Sequence, residues 1–208
     1  MAVAPQPLFV FDFDGTLTTE DTFVLFMKYY HGRARWYARM APLTPTFLSY
    51  KLGRIDRHAV KRAVVEATFT GEPWARVEAT GRRFADEVIP TLLRPAGVAR
   101  FRERIAQSRE GGPLTVICSA SITPYLEAFA ESYGSPPVIA CELEVDAQGL
   151  CTGRLAKPNV WGRKKVESLL RRFRSTGVHI VEAYGDSAGD RALLEAADTG
   201  FWRPFRLT

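Results

Sequence analysis

A short apolar run that ends in two aspartates constrains the fold of this chain more than any other stretch. Residues 8–11 are continuously apolar, a pattern typical of a strand buried on both faces of a parallel sheet. Asp12 and Asp14 follow, and Gly15 lets the backbone turn away. Ligands of open α/β sheets bind at this end of the strands. Because two carboxylates placed there repel each other, the pair favours a hard divalent cation such as Mg²⁺ between them.

The remaining strands and helices of the predicted sheet alternate along the chain. Further buried strands are predicted at residues 114–118, 138–141 and 179–184, and a short fifth strand at residues 201–202. Helical patterns precede or separate them, at residues 96–109, 123–133, 162–175 and 187–197. Two short segments flank a turn and predict a hairpin, at residues 142–145 and 150–154. Strands separated by helices predict an α/β fold with a doubly wound parallel sheet, whose first strand covers residues 8–12.

A long helical insertion separates the first strand from the second. No convincing strand pattern occurs between residues 18 and 94, and Pro42 and Pro45 interrupt the helical patterns. The predicted helices cover residues 22–30, 33–40, 46–52, 56–68 and 73–88. We therefore predict an all-helical cap domain at 18–94 on an α/β core formed by 1–17 and 95–208. A hydrophobic content of 46% suffices for both.

The insertion also carries most of the excess positive charge. The net charge is +5, and residues 28–62 hold nine Lys or Arg against Asp56 alone. Large apolar side chains lie between these cations, at Trp36, Tyr37, Met40, Phe47, Leu48 and Tyr50. Such a surface attracts phosphorylated substrates, lipid headgroups or nucleic acid, and the mixture is typical of interfacial helices. The alternatives are a solvated helical face and a cap core packed by these side chains.

The cysteines and the N-terminus indicate a cytoplasmic protein. Cys118, Cys141 and Cys151 have no Cys-x-x-Cys spacing, and we interpret all three as reduced. Residues 1–7 lack the basic and apolar regions of a signal peptide, and no apolar run approaches the roughly 18 residues of a membrane span. The alternative location is the inner face of the membrane, which the protein would contact peripherally through the basic cap.

Polar residues follow three of the predicted strands at the same edge of the sheet. They are Asp12 and Asp14, then Ser119, then Asp186 and Asp190, while Lys164 and Lys165 open the helix before the fourth strand. Carboxylates suit a metal, whereas a hydroxyl, an ammonium and free helix N-termini suit phosphate. Together these groups are what phosphoryl transfer requires, since its catalysis is mostly positioning and charge neutralisation.

The same residues resemble the four motifs of the haloacid dehalogenase-like (HAD) superfamily. Residues 12–16, Asp-Phe-Asp-Gly-Thr, resemble the first motif; Ser119 resembles the second, Lys165 the third, and residues 185–190 the fourth. The helical cap between the first and second motifs is similar to that of the phosphoserine-phosphatase-like branch, subfamily IB. Residues 17–23, 119–121 and 203–205 resemble less characterised bacterial members of that branch, a group that includes a phosphatidylglycerophosphatase.

The resemblance implies a catalytic pair and a metal site. Asp12 would be the nucleophile that forms an aspartyl-phosphate and would also bind Mg²⁺. Asp14 would be the general acid and then the general base, with its backbone carbonyl on the metal. Asp186 would complete the metal shell, and Asp190 would support it or orient the lysine.

The resemblance also implies a phosphate site made of Ser119, Lys165 and Gly15. Ser121 competes with Ser119, and we prefer Ser119 because the apolar run that delivers it ends at Cys118. Lys164 competes with Lys165, which has the helical register of the family.

A substrate-specificity role falls near Asp21. In phosphoserine phosphatases a glutamate near this position faces the substrate amine. Glu20 and Asp21 are the candidates here, and the count along the chain favours Asp21. A plain helix N-cap is the alternative.

These observations favour a Mg²⁺-dependent phosphomonoester hydrolase. Its substrate is either a small soluble metabolite enclosed by the cap or a lipid phosphate at a membrane surface, as for a phosphatidylglycerophosphatase. A phosphotransferase and a non-catalytic anion-binding module are further alternatives. No nucleic-acid partner is expected, because the acidic set would repel a phosphate backbone. The sequence predicts neither the substrate nor the oligomeric state.

Overall fold

The computed structural model describes residues 4–206, built around a five-stranded parallel sheet. Its strands are β1 (Gln6–Phe11), β2 (Leu114–Ile122), β3 (Val138–Cys141), β4 (Leu143–Val145), β5 (Cys151–Leu155), β6 (Val178–Gly185) and β7 (Thr199–Trp202). The sheet order is β3-β2-β1-β6-β7, and all neighbours are parallel. The order reverses between β1 and β6, which confirms the predicted doubly wound α/β fold. Residues 1–3 of the predicted lead-in and residues 207–208 of the predicted core lie outside the described residues.

β1 lies at the centre of the sheet because both of its faces are apolar. Leu8, Val10 and Phe11 are fully buried. The Phe11 ring stacks on Tyr184 of β6 at 4.2 Å, and Tyr184 stacks on Phe201 of β7 at 4.8 Å. β1 ends at Phe11, one residue before the predicted end. Asp12 is therefore the first residue beyond the strand, at the switch point where ligands bind.

The core helices connect the parallel strands, as the sequence predicts. They are α7 (Pro95–Arg109), α8 (Thr123–Glu131), α9 (Arg163–Arg172) and α10 (Arg191–Glu195). The predicted helix at 187–197 is wrong in its first turn, which is a 3₁₀ turn at Ala188–Asp190. Ser187 and Asp190 form a capping box there, and this local bonding replaces the α-helical turn.

Six helices fill the insertion within the described residues. They are α1 (Thr22–His31), α2 (Arg33–Met40), α3 (Thr44–Lys51), α4 (Arg57–Phe69), α5 (Trp74–Glu87) and α6 (Ile89–Leu92). The bend predicted at Pro42 and Pro45 is a 3₁₀ turn at Ala41–Leu43 followed directly by α3. Pro45 lies in the first turn of α3, where a missing N–H costs no intrahelical bond.

Backbone bonds join the two ends of this insertion. Thr18 and Leu93 form an antiparallel bridge, and the N–H of Arg94 donates to the carbonyl of Leu17 at 2.8 Å. These contacts lie at the predicted boundaries, and we propose that residues 18–94 form the cap.

The predicted hairpin is present as β4 and β5, and it leans on the helical insertion rather than joining the main sheet. The N–H of Cys151 donates to the carbonyl of Glu72 at 2.9 Å, and the N–H of Gly71 donates to the carbonyl of Cys151 at 2.8 Å. Gly153 packs so closely that a Cβ atom would lie 2.0 Å from Thr70 Oγ1. The hairpin, which follows the insertion in the chain, thus packs against residues 70–72 of the insertion.

Aromatic side chains join the insertion to the core. The Tyr125 ring of α8 lies 5.1 Å from Phe26 of α1 and 5.3 Å from Phe84 of α5. Gly81 of α5 allows contact with Pro124, since a Cβ atom would come within 2.7 Å of it. All three rings are fully buried, so the helices above the strand ends are held against the core by apolar packing.

Candidate active site

A buried ion-pair network lies at the edge of the sheet where β1, β2 and β6 end. Nζ of Lys165 on α9 donates to Asp12 Oδ1 at 2.5 Å, to Asp190 Oδ1 at 2.6 Å and to the Cys118 carbonyl at 2.8 Å. The lysine is 1% exposed. A buried ammonium requires this compensation, because an unpaired charge in the interior is very costly.

The charges of this network control its pKa values. Burial acts to lower the pKa of Lys165, but attraction by Asp12 and Asp190 outweighs it and raises the pKa. Burial raises the pKa of Asp12 to about 8, against the lowering effect of Lys165. Burial also opposes ionisation of Asp190, whose pKa is nevertheless lowered by Lys165. Lys165 therefore stays charged over the whole physiological range.

Asp14 points towards the helical insertion instead of towards Lys165. Its Oδ1 accepts hydrogen bonds from the N–H of Thr22 at 2.7 Å and from Thr22 Oγ1 at 2.5 Å. Its Oδ2 accepts from Ser121 Oγ and, at 3.4 Å, from Ser119 Oγ. Burial and then Asp21 raise the Asp14 pKa, while the bonds from Ser121 and Thr22 lower it. A carboxyl group with a raised pKa suits general acid catalysis.

Ser119 and Ser121 both line the cavity at the end of β2. The predicted end of this strand at Cys118 is wrong, because β2 continues to Ile122 with a shift in its pairing to β3. The strand-length reason for preferring Ser119 therefore fails. Ser119 Oγ accepts from the N–H of Ser121 at 3.0 Å, so the two hydroxyls form one unit beside Asp14.

Asp12, Asp186 and Asp190 each offer a carboxylate oxygen, and these oxygens lie within 4.8 Å of one another. Asp190 is fully engaged: Oδ1 accepts from Lys165, and Oδ2 accepts from the N–H of Asp186 at 3.2 Å and from the N–H of Ser187 at 2.9 Å. Asp12 pairs with Lys165 through Oδ1 and Asp186 pairs with Arg206 through Oδ2, so each keeps one carboxylate oxygen outside these ion pairs to bind a cation. This oxygen set fits Mg²⁺, which binds through one or two carboxylates and retains water.

Gly15 makes the close approach of Asp186 possible. Its φ is +78°, and a Cβ atom would lie 2.3 Å from Asp186 Oδ2. The N–H of Gly15 donates to Thr18 Oγ1 at 3.4 Å. Gly15 lines the cavity, as its predicted phosphate-binding role requires, and it also makes room for the carboxylate.

Asp21 is a helix N-cap and also lines the cavity, so its location agrees with both of the alternatives that the sequence left open. It is the N-cap of α1, with Oδ1 accepting from the N–H of Val24 at 3.1 Å. It also lines the cavity, together with Glu20. Lys164, by contrast, is partly exposed and pairs with Glu167 at 2.6 Å. Of the two neighbouring lysines, only Lys165 faces the site.

Several cavity residues were missed by sequence reasoning. The cavity measures about 330 Å³, and its further lining includes Arg57, Lys61, Asn159, Trp161 and Arg206. Arg206 Nη2 donates to Asp186 Oδ2 at 2.6 Å, and Lys61 Nζ donates to the Ala120 carbonyl at 3.2 Å. Lys61 could have been suspected from its place in the basic stretch at residues 28–62, and Arg206 from the Arg-Pro-Phe segment that it follows. Neither pattern indicates which side chain points into the cavity.

The fold and these strand-end residues define a class of hydrolase. The family model of haloacid dehalogenase-like hydrolases matches residues 9–195, nearly the whole chain, and the chain belongs to that family. The predicted family, the α/β fold and the assignment as an enzyme are thereby confirmed.

Individual relatives are similar over most of the chain. Protein CicA of Caulobacter vibrioides (strain NA1000 / CB15N) is 36% identical over 202 residues, 97% of this chain and 88% of CicA. A Bordetella pertussis Tohama I protein with unknown function has a TM-score of 0.76 at 21% identity, over 95% of this chain and 89% of its own. A probable phosphoserine phosphatase from Vibrio cholerae has a TM-score of 0.67 at 19% identity, over 96% of this chain and 57% of its own. The phospho-aspartyl intermediate analogue of phosphoserine phosphatase has a TM-score of 0.62 at 20% identity, over 95% and 85%. At such identities the likeness to solved structures shows a shared fold.

Proposed function

We propose that this hydrolase is a Mg²⁺-dependent phosphatase that cleaves a phosphomonoester through an aspartyl-phosphate on Asp12. The observation that carries the proposal is the buried contact of Lys165 with Asp12 and Asp190, beside carboxylate oxygens of Asp12 and Asp186 that lie within 4.8 Å of each other. Phosphoryl transfer needs a fixed nucleophile and concentrated positive charge around the phosphoryl oxygens, and this arrangement supplies the protein's share of both.

The first half of the reaction is assigned to Asp12 and Asp14. A carboxylate oxygen of Asp12, whose ionised form the adjacent Lys165 ammonium favours against burial, attacks phosphorus, and the bond from phosphorus to the leaving alcohol oxygen breaks. Asp14, whose pKa is raised above the usual range by burial, donates the proton that the leaving oxygen requires. Lys165 holds the nucleophile in place and neutralises the phosphoryl charge. Bound Mg²⁺ supplies further charge neutralisation, with Asp12, Asp186 and the Asp14 backbone carbonyl as its protein ligands.

The second half regenerates the enzyme. Asp14, now ionised, accepts a proton from water, whose oxygen attacks phosphorus. The bond between phosphorus and Asp12 then breaks and inorganic phosphate is released. Ser119 and Ser121 donate their hydroxyl hydrogens to Asp14 without substrate, and our proposal is that these hydroxyls turn to the phosphoryl oxygens when substrate binds. Asp190 acts on this chemistry only through Lys165 and the backbone of the loop that carries Asp186.

The substrate proposed is a small phosphorylated metabolite. The side of the cavity away from the strand ends presents both signs of charge, with Glu20 and Asp21 opposite in sign to Arg57 and Lys61. Such a lining suits a substrate that carries polar or charged groups besides its phosphate, and Asp21 remains our proposed specificity residue. A cytoplasmic site of action is proposed from the three cysteines, which are unpaired and buried.

Trapping of the covalent intermediate tests the mechanism. Phosphomonoesters including phosphoserine, sugar phosphates, nucleotides and phosphatidylglycerophosphate are screened with Mg²⁺, and the best substrate is used with labelled phosphate. We expect hydroxylamine-sensitive protein label and phosphate release in the wild type, and neither in Asp12→Asn. Asp198→Asn, an exposed aspartate paired with His179, is the control and keeps both.

Three results would overturn this proposal. Full activity in EDTA would exclude Mg²⁺ dependence, and wild-type turnover by Asp12→Asn would exclude the nucleophile. Transfer of phosphate to an acceptor other than water would identify a phosphotransferase.

A further inference from the structure

Helices α2 and α3 of the insertion carry an exposed apolar cluster. Within the described residues eight large hydrophobic side chains are exposed, and half of them lie within residues 37–52. These four are Tyr37 (58% exposed), Leu48 (57%), Tyr50 (41%) and Leu52 (57%). Scattered exposed hydrophobics are ordinary, but a group concentrated on neighbouring helices marks an interaction surface.

The four exposed side chains are not part of the hydrophobic core of the insertion. Trp36, Met40 and Phe47 turn inward and pack against the buried cluster. Tyr37 and Leu48 follow two of these residues directly and point outward. α3 has no buried residue, and α2 has only Met40. Core packing, one of the two alternatives left open by the sequence, therefore applies to Trp36, Met40 and Phe47, and the exposed side chains lie outside that core.

The stretch of chain that carries the cluster has charged residues of one sign, although Glu72 pairs with Arg39 of α2. Residues 22–55 contain no Asp or Glu and contain six Lys or Arg. Arg33, Arg35, Lys51 and Arg54 are exposed, and within the described residues they form no ion pair. Lys28 lies over the ring of Trp36 at 4.9 Å, so its positive charge also stays at this side. The partner that complements such a surface is anionic and apolar at once.

From this combination we propose that α2, α3 and the following turn to Arg54 form a surface that seats the protein on an anionic membrane. We call it the α2–α3 surface: Tyr37, Leu48, Tyr50 and Leu52, with Arg33, Arg35, Lys51 and Arg54. Leucine and tyrosine enter the boundary between headgroups and acyl chains, while the basic side chains reach the lipid phosphates. Exposed leucines contribute nothing to a nucleic-acid backbone contact, whose affinity is electrostatic. No helix of residues 4–206 is long and apolar enough to span a bilayer.

The surface lies close to the cavity. Arg57, which lines the cavity, follows Leu52 by five residues, a chain length that spans at most about 18 Å. Seating on a bilayer would bring the mouth of the cavity near the headgroups. The proposal concerns binding and holds whether or not the phosphatase assignment is correct.

Sedimentation with vesicles tests the surface on the whole chain. We expect binding to phosphatidylcholine vesicles that contain phosphatidylglycerol, weak binding to phosphatidylcholine alone, and loss of binding as salt is raised. Leu48→Glu with Leu52→Glu is expected to weaken binding about tenfold or more, since two apolar insertions are lost. Leu170→Glu, on an exposed leucine of α9, is the matched control and leaves binding unchanged.

A second pair of variants separates the charge from the apolar contribution. Arg33→Gln and Arg35→Gln are each expected to weaken binding about fivefold, the equivalent of about 1 kcal/mol per basic residue near an anionic surface. Arg171→Gln and Arg174→Gln serve as controls, because both arginines are exposed and lie outside the α2–α3 surface. Unchanged circular dichroism verifies the fold of every variant.

Three outcomes overturn the proposal. One is equal sedimentation of wild type and the Leu48→Glu, Leu52→Glu variant. Another is a wild-type dimer that this variant converts to monomer without any vesicle binding, which would assign the surface to a second copy of the chain. Tighter binding of duplex DNA or RNA than of the anionic vesicles would likewise contradict a membrane partner.

Discussion

Lys165 and Lys61 line the same cavity, yet their surroundings differ in charge. Lys165 contacts two carboxylates, which raise its pKa despite burial. Lys61 Nζ lies 2.9 Å from the centroid of the Phe23 ring and donates to one carbonyl, and burial lowers its pKa to about 8. The first lysine is compensated within the protein. The second keeps donors available, and we propose that an anionic group of the substrate is its counter-charge.

This difference separates the two sides of the cavity. On the strand-end side the charges satisfy one another and are held by the sheet, which is what fixed chemistry requires. On the side of the helical insertion the cations Arg57 and Lys61 have weaker compensation, which is what a substrate-dependent site requires. Substitution of each lysine should therefore have a different signature in stability, turnover and substrate affinity.

The largest effect is expected for Lys165→Ala. The variant leaves Asp12 and Asp190 buried without their cation, which should lower the free energy of unfolding by about 3–5 kcal/mol. Loss of the charge beside the phosphoryl group should lower kcat about 10²–10³-fold. Denaturant titration and steady-state kinetics measure the two effects.

Lys164→Ala is the matched control for that experiment. Its side chain is partly exposed and pairs only with Glu167, so the change in unfolding free energy should stay within about 1 kcal/mol, with kcat unchanged. A loss of activity in Lys164→Ala as large as in Lys165→Ala would invalidate the assignment of Lys165.

Lys61→Met should show the opposite pattern. Methionine fills similar space without a buried charge, so the free energy of unfolding should be unchanged or slightly higher. The KM of the best substrate should rise about tenfold while kcat changes little, because the lost contact is to the substrate rather than to the nucleophile. Arg62→Met, at an exposed neighbour, provides the control. A collapse of kcat at constant KM would place Lys61 in the chemical step.

The pH dependence of KM offers a smaller effect at the same residue. Since the pKa of Lys61 is lowered to about 8, the ammonium is fully present below that value and is lost as the pH rises through it. KM should therefore rise by less than the tenfold of Lys61→Met between pH 7 and 9. Lys61→Arg, which keeps its charge there, should remove the rise. An identical rise in Lys61→Arg would assign the titration to another group.

The two sides of the cavity also differ in how far the sequence predicted them. The sequence singled out Asp12, Asp14, Lys165 and Asp186 because each follows an apolar strand or begins a helix, and parallel strand ends meet at one edge. That rule depends on the run of apolar residues next to each site residue and on the parallel order of the strands. It carries no information about a side chain that enters the site from an insertion or from the end of the chain.

Ser121 and Arg206 illustrate where such prediction fails. The end of β2 could not be read from apolarity, because its last residues are polar or small while pairing with β3 resumes at Ile122. Arg206 reaches Asp186 through an aromatic anchor, Phe205, whose ring stacks on Tyr184 at 5.6 Å. Tertiary packing sets both positions, and a single sequence contains no periodicity that reports it.

Arg206 gives the smallest predicted effect, and it bears on the metal. Its guanidinium donates to Asp186 Oδ2 at 2.6 Å, so a cation that binds Asp186 must compete with it. Arg206→Gln should therefore strengthen Mg²⁺ binding about two- to fivefold in calorimetric titration, a modest gain because the arginine is partly exposed to solvent. Arg174→Gln is the control for the change in net charge. Unchanged Mg²⁺ affinity with a raised KM would instead mean that Arg206 turns to the substrate phosphate, which would extend the substrate-dependent side of the cavity around to the metal.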